Sequence, residues 1–411
     1  MGSEWRVSTW GDTVSLEYGK ALRGYQTEKG AYRVFGSNGP IGWHSDSLAS
    51  GPGVVLGRKG AYRGVEYSKE PFWVIDTAYY VVPKKTLDLR WLYFAIKHYK
   101  LGEIDDGSPI PSTTRAAVYV KELLIPPICE QQAIASILGS LDDKIELNRQ
   151  RNRTLEAMAR ALFQSWFVDF DPVKAKAAGK NPSGLKPEIA ALFPDSFEES
   201  ELGMIPKGWT CSSIRSVTKK VQYGYTASAT STPVGPRFLR ITDIRGGRIG
   251  WNDVPSCDIS ESDEAKYLVQ DGDVLVARTG AYTGDNVYLI KPQRAVFASY
   301  LVRFQFHDIG IGRLVGEFMR TSNYFDFVRS ALGGSAQPNA NAQTLSDCSM
   351  IFPCTSVANA YYELVRSTDL IKNKVDEENC TLALIRDNLL PKLVSGELRI
   401  PDAERIVSRM V

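Results

Sequence analysis

The sequence predicts an α/β (α+β) fold. Two globular segments are separated by two long antiparallel helices forming a coiled coil, and the whole carries an internal pseudo-two-fold duplication. Three observations predict it, and the first is self-similarity. The segments 53–64 (GVVLGRKGAYRG) and 273–284 (DVLVARTGAYTG) share an apolar strand followed by Arg-x-Gly-Ala-Tyr-x-Gly, with Arg58 and Arg278 220 residues apart. Upstream, Trp5 answers Trp209, Tyr18-Gly19 answers Tyr223-Gly224, and Gly42-Trp43 answers Gly250-Trp251. Downstream, Pro111, Pro126, Asn152, Leu155 and Leu162 answer Pro338, Pro353, Asn379, Leu382 and Leu389, each pair 227 residues apart. The spacing rises along the chain without falling, as it would if the second copy carried longer loops. Second, each copy opens with short β-branched or aromatic runs punctuated by Gly and Pro: Val34-Phe35, Trp73–Asp76 and Val118–Val120 in the first, Val274–Ala277 in the second. Third, each copy closes with a long stretch poor in Gly and Pro.

Taken in order, residues 1–128 form the first globular segment and 129–170 the first long helix. In that helix Ile134, Leu138, Leu141, Ile145, Asn148, Asn152, Leu155, Ala159, Leu162 and Trp166 recur with the 4-3 spacing of a coiled-coil seam. Residues 171–207 form a connector whose Lys/Ala/Gly/Pro-rich run is followed by a short helical turn over 187–193. The second globular segment occupies 208–355. The second long helix, 356–396, has Leu364, Thr368, Ile371, Val375, Glu378, Leu382, Ile385 and Leu389 on its seam, and 397–411 is a C-terminal tail. Each helix would be ~55 Å long at 1.5 Å per residue, and so narrow an apolar stripe needs a partner. Either each helix packs on its own globular segment, or the two pack on each other. The order globular–helix–globular–helix with internal two-fold symmetry makes that mutual packing antiparallel. Asn148 and Asn152 suit a register-fixing role within the seam.

Composition narrows the function. The 411 residues are 43% hydrophobic and 23% charged, the profile of a folded globular chain of two or three domains. No apolar run reaches the ~18 residues of a membrane span, Met1–Ser15 has no signal-peptide pattern, and no membrane role is expected. Six scattered cysteines without a C-x-x-C pair point to a reduced, cytoplasmic compartment and away from a zinc site. The net charge of +2 puts any affinity for nucleic acid into local patches. Catalytic signatures are weak. Asn181-Pro182-Ser183-Gly184 lacks the aromatic of an adenine-methyltransferase pocket, and no phosphate loop of the G-x-x-x-x-G-K-[ST] type occurs. Glu264-x-Lys266 with Asp258 upstream is a chance-level nuclease pattern, and His44, His98 and His307 have no nucleophile at a telling spacing.

The helical regions carry a resemblance. The residues 138–148 (LGSLDDKIELN) and 152–170 (NRTLEAMARALFQSWFVDF), the entry 203–209 (GMIPKGW) and the ending 389–398 (LLPKLVSGEL) resemble the specificity (S) subunit of a type I restriction–modification enzyme. The resemblance runs along essentially the whole chain. It implies that the globular segments are two target-recognition domains, and that the chain is a non-catalytic DNA-recognition subunit. Its partners would be double-stranded DNA, methyltransferase subunits (two of them), and endonuclease/translocase subunits reached through the methyltransferase. No cofactor is expected in this chain, because S-adenosylmethionine, ATP and Mg2+ would sit on those partners. The alternative is a coiled-coil scaffold whose globular domains bind protein or carbohydrate.

Three loop types in each copy suit DNA. The Gly-rich turn after a strand offers Arg58, Lys59, Tyr62 and Arg63 in the first copy and Arg278, Thr279 and Tyr282 in the second. Glycine lets a phosphate approach the backbone closely, and Arg can donate to both guanine acceptors at once. A plain hairpin turn with solvated charges is the alternative reading. The second loop type offers Lys20, Arg23, Tyr25 and Lys29, answered by Tyr223 and Tyr225, whereas Tyr18-Gly19 and Tyr223-Gly224 also suit packing. The third offers Ser112, Thr113, Thr114 and Arg115, answered by Gln337, Asn339 and Asn341, whose amides can pair with adenine. Arg240 and Arg245, with Arg237 and Arg248, add a basic cluster opposed by Asp243. The helix charges Asp142, Asp143, Glu146 and Glu156, interleaved with Lys144, Arg149, Arg151, Arg153 and Arg160, look solvated or partner-facing.

Overall fold

A computed structural model describes residues 5–26, 29–105, 107, 111–333 and 339–410, with side chains described as far as 408. The chain divides into two compact units, Met1–Arg149 with Glu377–Val411, and Gln150–Asp376. Each contains one globular domain and parts of both long helices, Ile128–Phe163 and Thr355–Val394.

In the first unit, Val14–Tyr18, Ala78–Pro83, Gly53–Gly57 and Val65–Ser68 form a four-stranded antiparallel sheet in that spatial order. Every residue of Gly53–Gly57 is buried, as befits a central strand with both faces covered. Helix Leu89–His98, capped by Asp88 accepting from the Trp91 amide at 2.8 Å, lays Trp91, Leu92, Phe94, Ala95 and Ile96 onto this sheet. A second sheet joins Gly39–His44, Tyr32–Gly36 and Phe72–Val74. Strand Arg6–Thr9 pairs antiparallel with Glu122–Ile125, which leads directly into the first long helix.

The second unit repeats this plan, so the duplication read from the sequence is present in the chain's structure. Thr218–Tyr223, Leu301–Phe306, Val274–Ala277 and Asn286–Tyr288 form a four-stranded sheet with the same order of counterparts. Arg237–Leu239 pairs parallel with Ala295–Phe297, as Tyr32–Gly36 does with Phe72–Val74. Helix Ile309–Phe318 answers Leu89–His98, and Thr210–Ser213 with Ser349–Phe352 answers the strand pair that frames the first domain. The spacing between copies does fall once, contrary to the sequence reading. Strand starts Ala78 and Leu301 lie 223 residues apart, but the helix caps Asp88 and Asp308 only 220, because the first copy has the longer strand-to-helix turn.

The helices pair with each other and with their domains at once, so the two packing schemes open in the sequence are not exclusive. In the first unit Ile134, Leu138, Leu141 and Ile145 share one core with Leu382, Ile385, Leu389 and Leu393 and with Trp10, Val54, Leu56 and Trp91 of the domain. Within that unit Asp142 meets Arg386 at 2.6 Å and Asn148 Nδ2 donates to Glu378 at 2.9 Å. Within the second unit Asn152 Nδ2 donates to Asp376 at 2.7 Å, and the rings of Phe163 and Tyr361 lie 6.4 Å apart. As numbers rise on one helix they fall on the other, so both pairings are antiparallel. Asn148 and Asn152 are buried and bonded, which ties their helix positions to particular partners across the seam.

Several local readings are corrected. Val118–Val120 is not a strand. Thr114 caps a helix over Arg115–Tyr119 by accepting from the Ala117 amide at 3.3 Å, and this cap outweighs the β-preference of two valines. Early in the second long helix the seam is rotated from the expected one. Leu364 and Ile371 are exposed, and Tyr361, Val365 and Asp369 face inward because this part packs on the domain's Leu314 and Arg313. The first long helix ends in a wider π turn, Gln164–Val168, which buries both Trp166 and Phe167. The C-terminal tail contains a helix, Ile400–Met410, whose Ala403, Ile406 and Val407 pack on the first unit's core. Gly250-Trp251 matches Gly42-Trp43 in sequence alone, because Trp43 is exposed on a strand and Trp251 packs against the second domain's small core. Among the described residues no helix is long and apolar enough to cross a membrane.

Candidate nucleic-acid interface

The three loop types converge on one place in each domain. In the first domain Tyr18 ends its strand with its ring 47% exposed. Gly19 follows because nothing larger fits: a Cβ there would lie 2.1 Å from the Ile75 carbonyl oxygen. Arg58 leaves the buried central strand and lays its guanidinium over Tyr18, 4.8 Å from the ring centroid, and Arg115 approaches the same ring at 4.2 Å. The third loop is stitched to the first, the Gly-rich turn, by backbone bonds. The Thr113 amide donates to the Arg58 carbonyl at 2.9 Å, and the Gly60 amide to the Pro111 carbonyl at 3.0 Å. Gly60 has φ +107°, which permits this turn.

The second domain builds the same arrangement from different residues. Tyr223 is 43% exposed at the end of its strand, and a Cβ on Gly224 would lie 2.2 Å from the Ala298 carbonyl oxygen. Arg278 lies 5.0 Å from the Tyr223 ring centroid and donates to Asn339 Oδ1 at 3.0 Å. The Ala340 amide donates to the Arg278 carbonyl at 2.8 Å, and the Ala342 amide to the Tyr223 hydroxyl at 3.0 Å. Position 342 answers Arg115, so the first site holds two guanidinium groups on its tyrosine and the second holds one beside an asparagine.

Two cations and one acid, Glu17, set the electrostatics of the first site. Burial, then a hydrogen bond with Tyr18, push the Tyr79 phenol up to about 12, so this ring beneath Arg58 and Arg115 carries no negative charge at neutral pH. Cation–π placement and protein partners fix both guanidinium groups: Arg58 donates to the Asp76 carbonyl at 3.1 Å, and Arg115 donates to the Leu16 carbonyl at 2.6 Å and pairs with Glu17 at 3.6 Å.

The remaining sequence candidates divide by what their side chains already do. Lys20, Arg23, Lys29 and Lys59 are exposed, and Tyr62 is 78% exposed at the tip of its turn. Tyr25 is half-buried beside the Trp43 strand, and Tyr225 lies with its ring 5.3 Å from that of Tyr267. Ser112 is half-buried and Thr279 bridges to Asn339. Arg63 is occupied inside the domain, donating to the carbonyls of Gly60, Gly102 and Ile104 at 2.7–3.0 Å. Thr113 is buried, Thr114 is a helix cap, and Asn341 caps Ala342–Ser346 by accepting from the Thr344 amide at 2.7 Å. These four shape the loops. Gln337 lies outside the described residues.

The basic cluster of the second domain is mostly engaged. Arg240 forks onto Asp243 at 2.9 Å, Arg237 donates to the Val254 carbonyl, and Arg248 pairs with Glu156 of the first long helix. Arg245 instead lies 3.7 Å over the exposed ring of Tyr282. Three of the helix acids are anchors, while Glu146 is exposed as expected. Asp143 holds Arg90 at 2.7 Å, Asp142 holds Arg386, and Glu156 holds Arg248 and Arg320. Glu264 is forked by Arg294 at 2.6 and 2.7 Å, a structural use of that acid. Tyr18 was missed as a site candidate, although its match to Tyr223 in the repeat is the signal that finds it.

Each domain thus presents a loop face of cation and aromatic side chains. Residues 2–157 match the family model described as the type I restriction modification DNA specificity domain. The chain is 26% identical over 387 residues to the type I restriction enzyme HindI specificity subunit of Haemophilus influenzae, covering 79% of this chain and 81% of the relative. It is 23% identical over 368 residues to the MjaIX specificity subunit of Methanocaldococcus jannaschii, covering 85% of this chain and 78% of the relative. The fold is also that of the type I restriction–modification S subunit from M. genitalium, with a TM-score of 0.60 at 14% identity over 95% of this chain and 96% of that one. Along most of its length the chain is thus similar to specificity subunits of type I restriction–modification enzymes, and residues 2–157 carry the match to their DNA specificity domain.

Proposed function

We propose that this subunit reads a bipartite, asymmetric DNA site, one part through each domain, and directs methyltransferase and endonuclease subunits to it. The observation that carries the proposal is the doubled loop face with unequal contents: Tyr18 with Arg58 and Arg115 in one copy, Tyr223 with Arg278 and Asn339 in the other. Equivalent scaffolds with different polar groups suit the reading of two different short sequences. Lys20, Arg23, Lys29, Lys59 and Arg245 contact phosphates or base edges, and Tyr62 and Tyr282 contact sugar and base faces. Two methyltransferase subunits bind the chain, and the endonuclease/translocase joins through them. S-adenosylmethionine, ATP and Mg2+ act on those partners. The near-neutral net charge implies modest affinity for the lone chain, with partner subunits supplying further phosphate contacts.

The helices act as a ruler between the two readings. Removing one heptad from both shortens the pair by ~10 Å, about three base pairs of rise. Methylation mapping in cells carrying the chain with its partner subunits is expected to show both half-sites unchanged and the unread spacer about three base pairs shorter. An unchanged spacer refutes the ruler. Gel-shift titration with and without the methyltransferase tests DNA reading itself, and salt-insensitive or absent binding in both refutes it in favour of a protein- or carbohydrate-binding scaffold.

A further inference from the structure

We propose that Arg33, held flat by Trp43, reads a guanine in the major groove of the half-site recognised by the first domain. This rests on the DNA-reading role above and adds a specificity residue outside the three loops. Arg33 stands opposite Trp43 in the antiparallel ribbon of Tyr32–Gly36 and Gly39–His44, with its guanidinium carbon 4.5 Å from the indole centroid. Trp43 is 44% exposed, and Ile41 two residues before it is exposed too. Among the described residues the Arg33 side chain makes no hydrogen bond or ion pair, whereas those of Arg63, Arg90 and Arg115 in the same domain are all engaged by carbonyls or carboxylates. A guanidinium oriented by an aromatic ring, with its donor edge unused, suits planar two-point recognition, for which a mobile lysine is no substitute.

The ribbon is fixed to the loop face at both ends. The Trp43 amide donates to the Tyr25 carbonyl at 3.1 Å, and a Cβ on Gly42 would lie 2.1 Å from that same oxygen. At the turn, the Gly64 amide donates to the Ser37 carbonyl at 2.8 Å, and the Ser37 hydroxyl donates to the Lys59 carbonyl. Arg33 is therefore held in register with loops 18–25 and 58–64. Gly39–His44 is an outer strand of its three-stranded sheet and Arg33 lies on the central strand beside it; Arg to guanine O6 and N7 is the commonest specific contact in the major groove. Among the described residues the second domain has no counterpart: its matching sheet holds only Arg237–Leu239 and Ala295–Phe297, and Trp251 packs inward. The contribution is confined to one half-site.

The test uses the chain assembled with its methyltransferase subunits and a duplex carrying the site taken from its methylation map. Guanines are replaced one at a time by 7-deazaguanine, which removes the N7 acceptor. If the wild-type complex shows no sequence preference at all, the DNA-reading role fails, not this assignment. Given that preference, one guanine of the first domain's half-site is expected to cost wild type about fivefold or more in affinity when deazotated. The same replacement is expected to cost the Arg33→Ala complex nothing further, with the other half-site read normally by both. Equal sensitivity of Arg33→Ala and wild type at every guanine, or a first half-site without guanine, overturns the proposal. If Arg33→Ala does not assemble, Trp43→Leu goes through the same comparison with the same two outcomes.

Discussion

Glu156 is the point at which the first long helix grips the second domain, and removing its charge gives a prediction whose size follows from the structure. The carboxylate receives Arg320 at 2.6 Å and Arg248 closely, and its side chain is only 13% exposed. Burial alone would raise its pKa, but the bonds from Arg248 and Arg320 prevail and hold it down to about 2 from an ordinary 4.5. At neutral pH that difference corresponds to about 3 kcal/mol, reduced to about 2–3 kcal/mol because Arg248 is partly solvated. A group whose folded pKa is depressed contributes its stability above the unfolded value and loses it as pH falls through the folded one. The contribution of Glu156 is therefore complete above about pH 5 and fades between about 4.5 and 2. Glu156→Gln is expected to lower the melting temperature of the Gln150–Asp376 unit by about 5–10 °C at pH 7, read by calorimetry or by intrinsic fluorescence of Trp166 and Trp209. The gap between variant and wild type is expected to close progressively below pH 4.5. A variant melting within about a degree of wild type at pH 7, or a gap as wide at pH 2.5 as at pH 7, refutes the reasoning.

Three further outcomes are expected. Asp369→Ala leaves Arg313 buried beside Glu317 with one carboxylate fewer, and is expected to destabilise the second unit by about 3–5 kcal/mol in denaturant titration. Arg58→Ala is expected to relax or weaken recognition of one half-site by about 1–3 kcal/mol, and Arg278→Ala the other, as seen in methylation maps; intact methylation of every site by either variant removes that residue from the reading face. Gly19→Ala and Gly224→Ala each place a methyl group about 2 Å from a carbonyl oxygen, so each is expected to shift its tyrosine and impair the matching half-site while the other domain's half-site is read as before.

Much of this was legible because duplication and periodicity are global signals. Arg-x-Gly-Ala-Tyr-x-Gly recurs with its strand, and the structure gives both copies the same sheet position and a left-handed first glycine, Gly60 and Gly280. The 4-3 seam was readable where the helices meet each other, at Ile134–Ile145 and Leu382–Leu389. It failed at Leu364 and Ile371, where the partner is a globular domain whose surface no heptad describes. The loops were harder. Nothing in a run of Ser, Thr and Arg distinguishes Thr113, buried beneath the loop, from Lys59, exposed on it, and Arg63 differs from Arg58 only in the carbonyls that surround it. Arg33 and Trp43 lie ten residues apart in a hairpin, and only their pairing across strands makes them a unit.

The short strand pairs Arg6–Thr9 with Glu122–Ile125 and Thr210–Ser213 with Ser349–Phe352 bring the beginning and end of each domain side by side. Each domain is thus a cassette closed by a single zip. Because both ends of a domain leave through one strand pair, the length of the helices that follow is set apart from what lies between the paired strands.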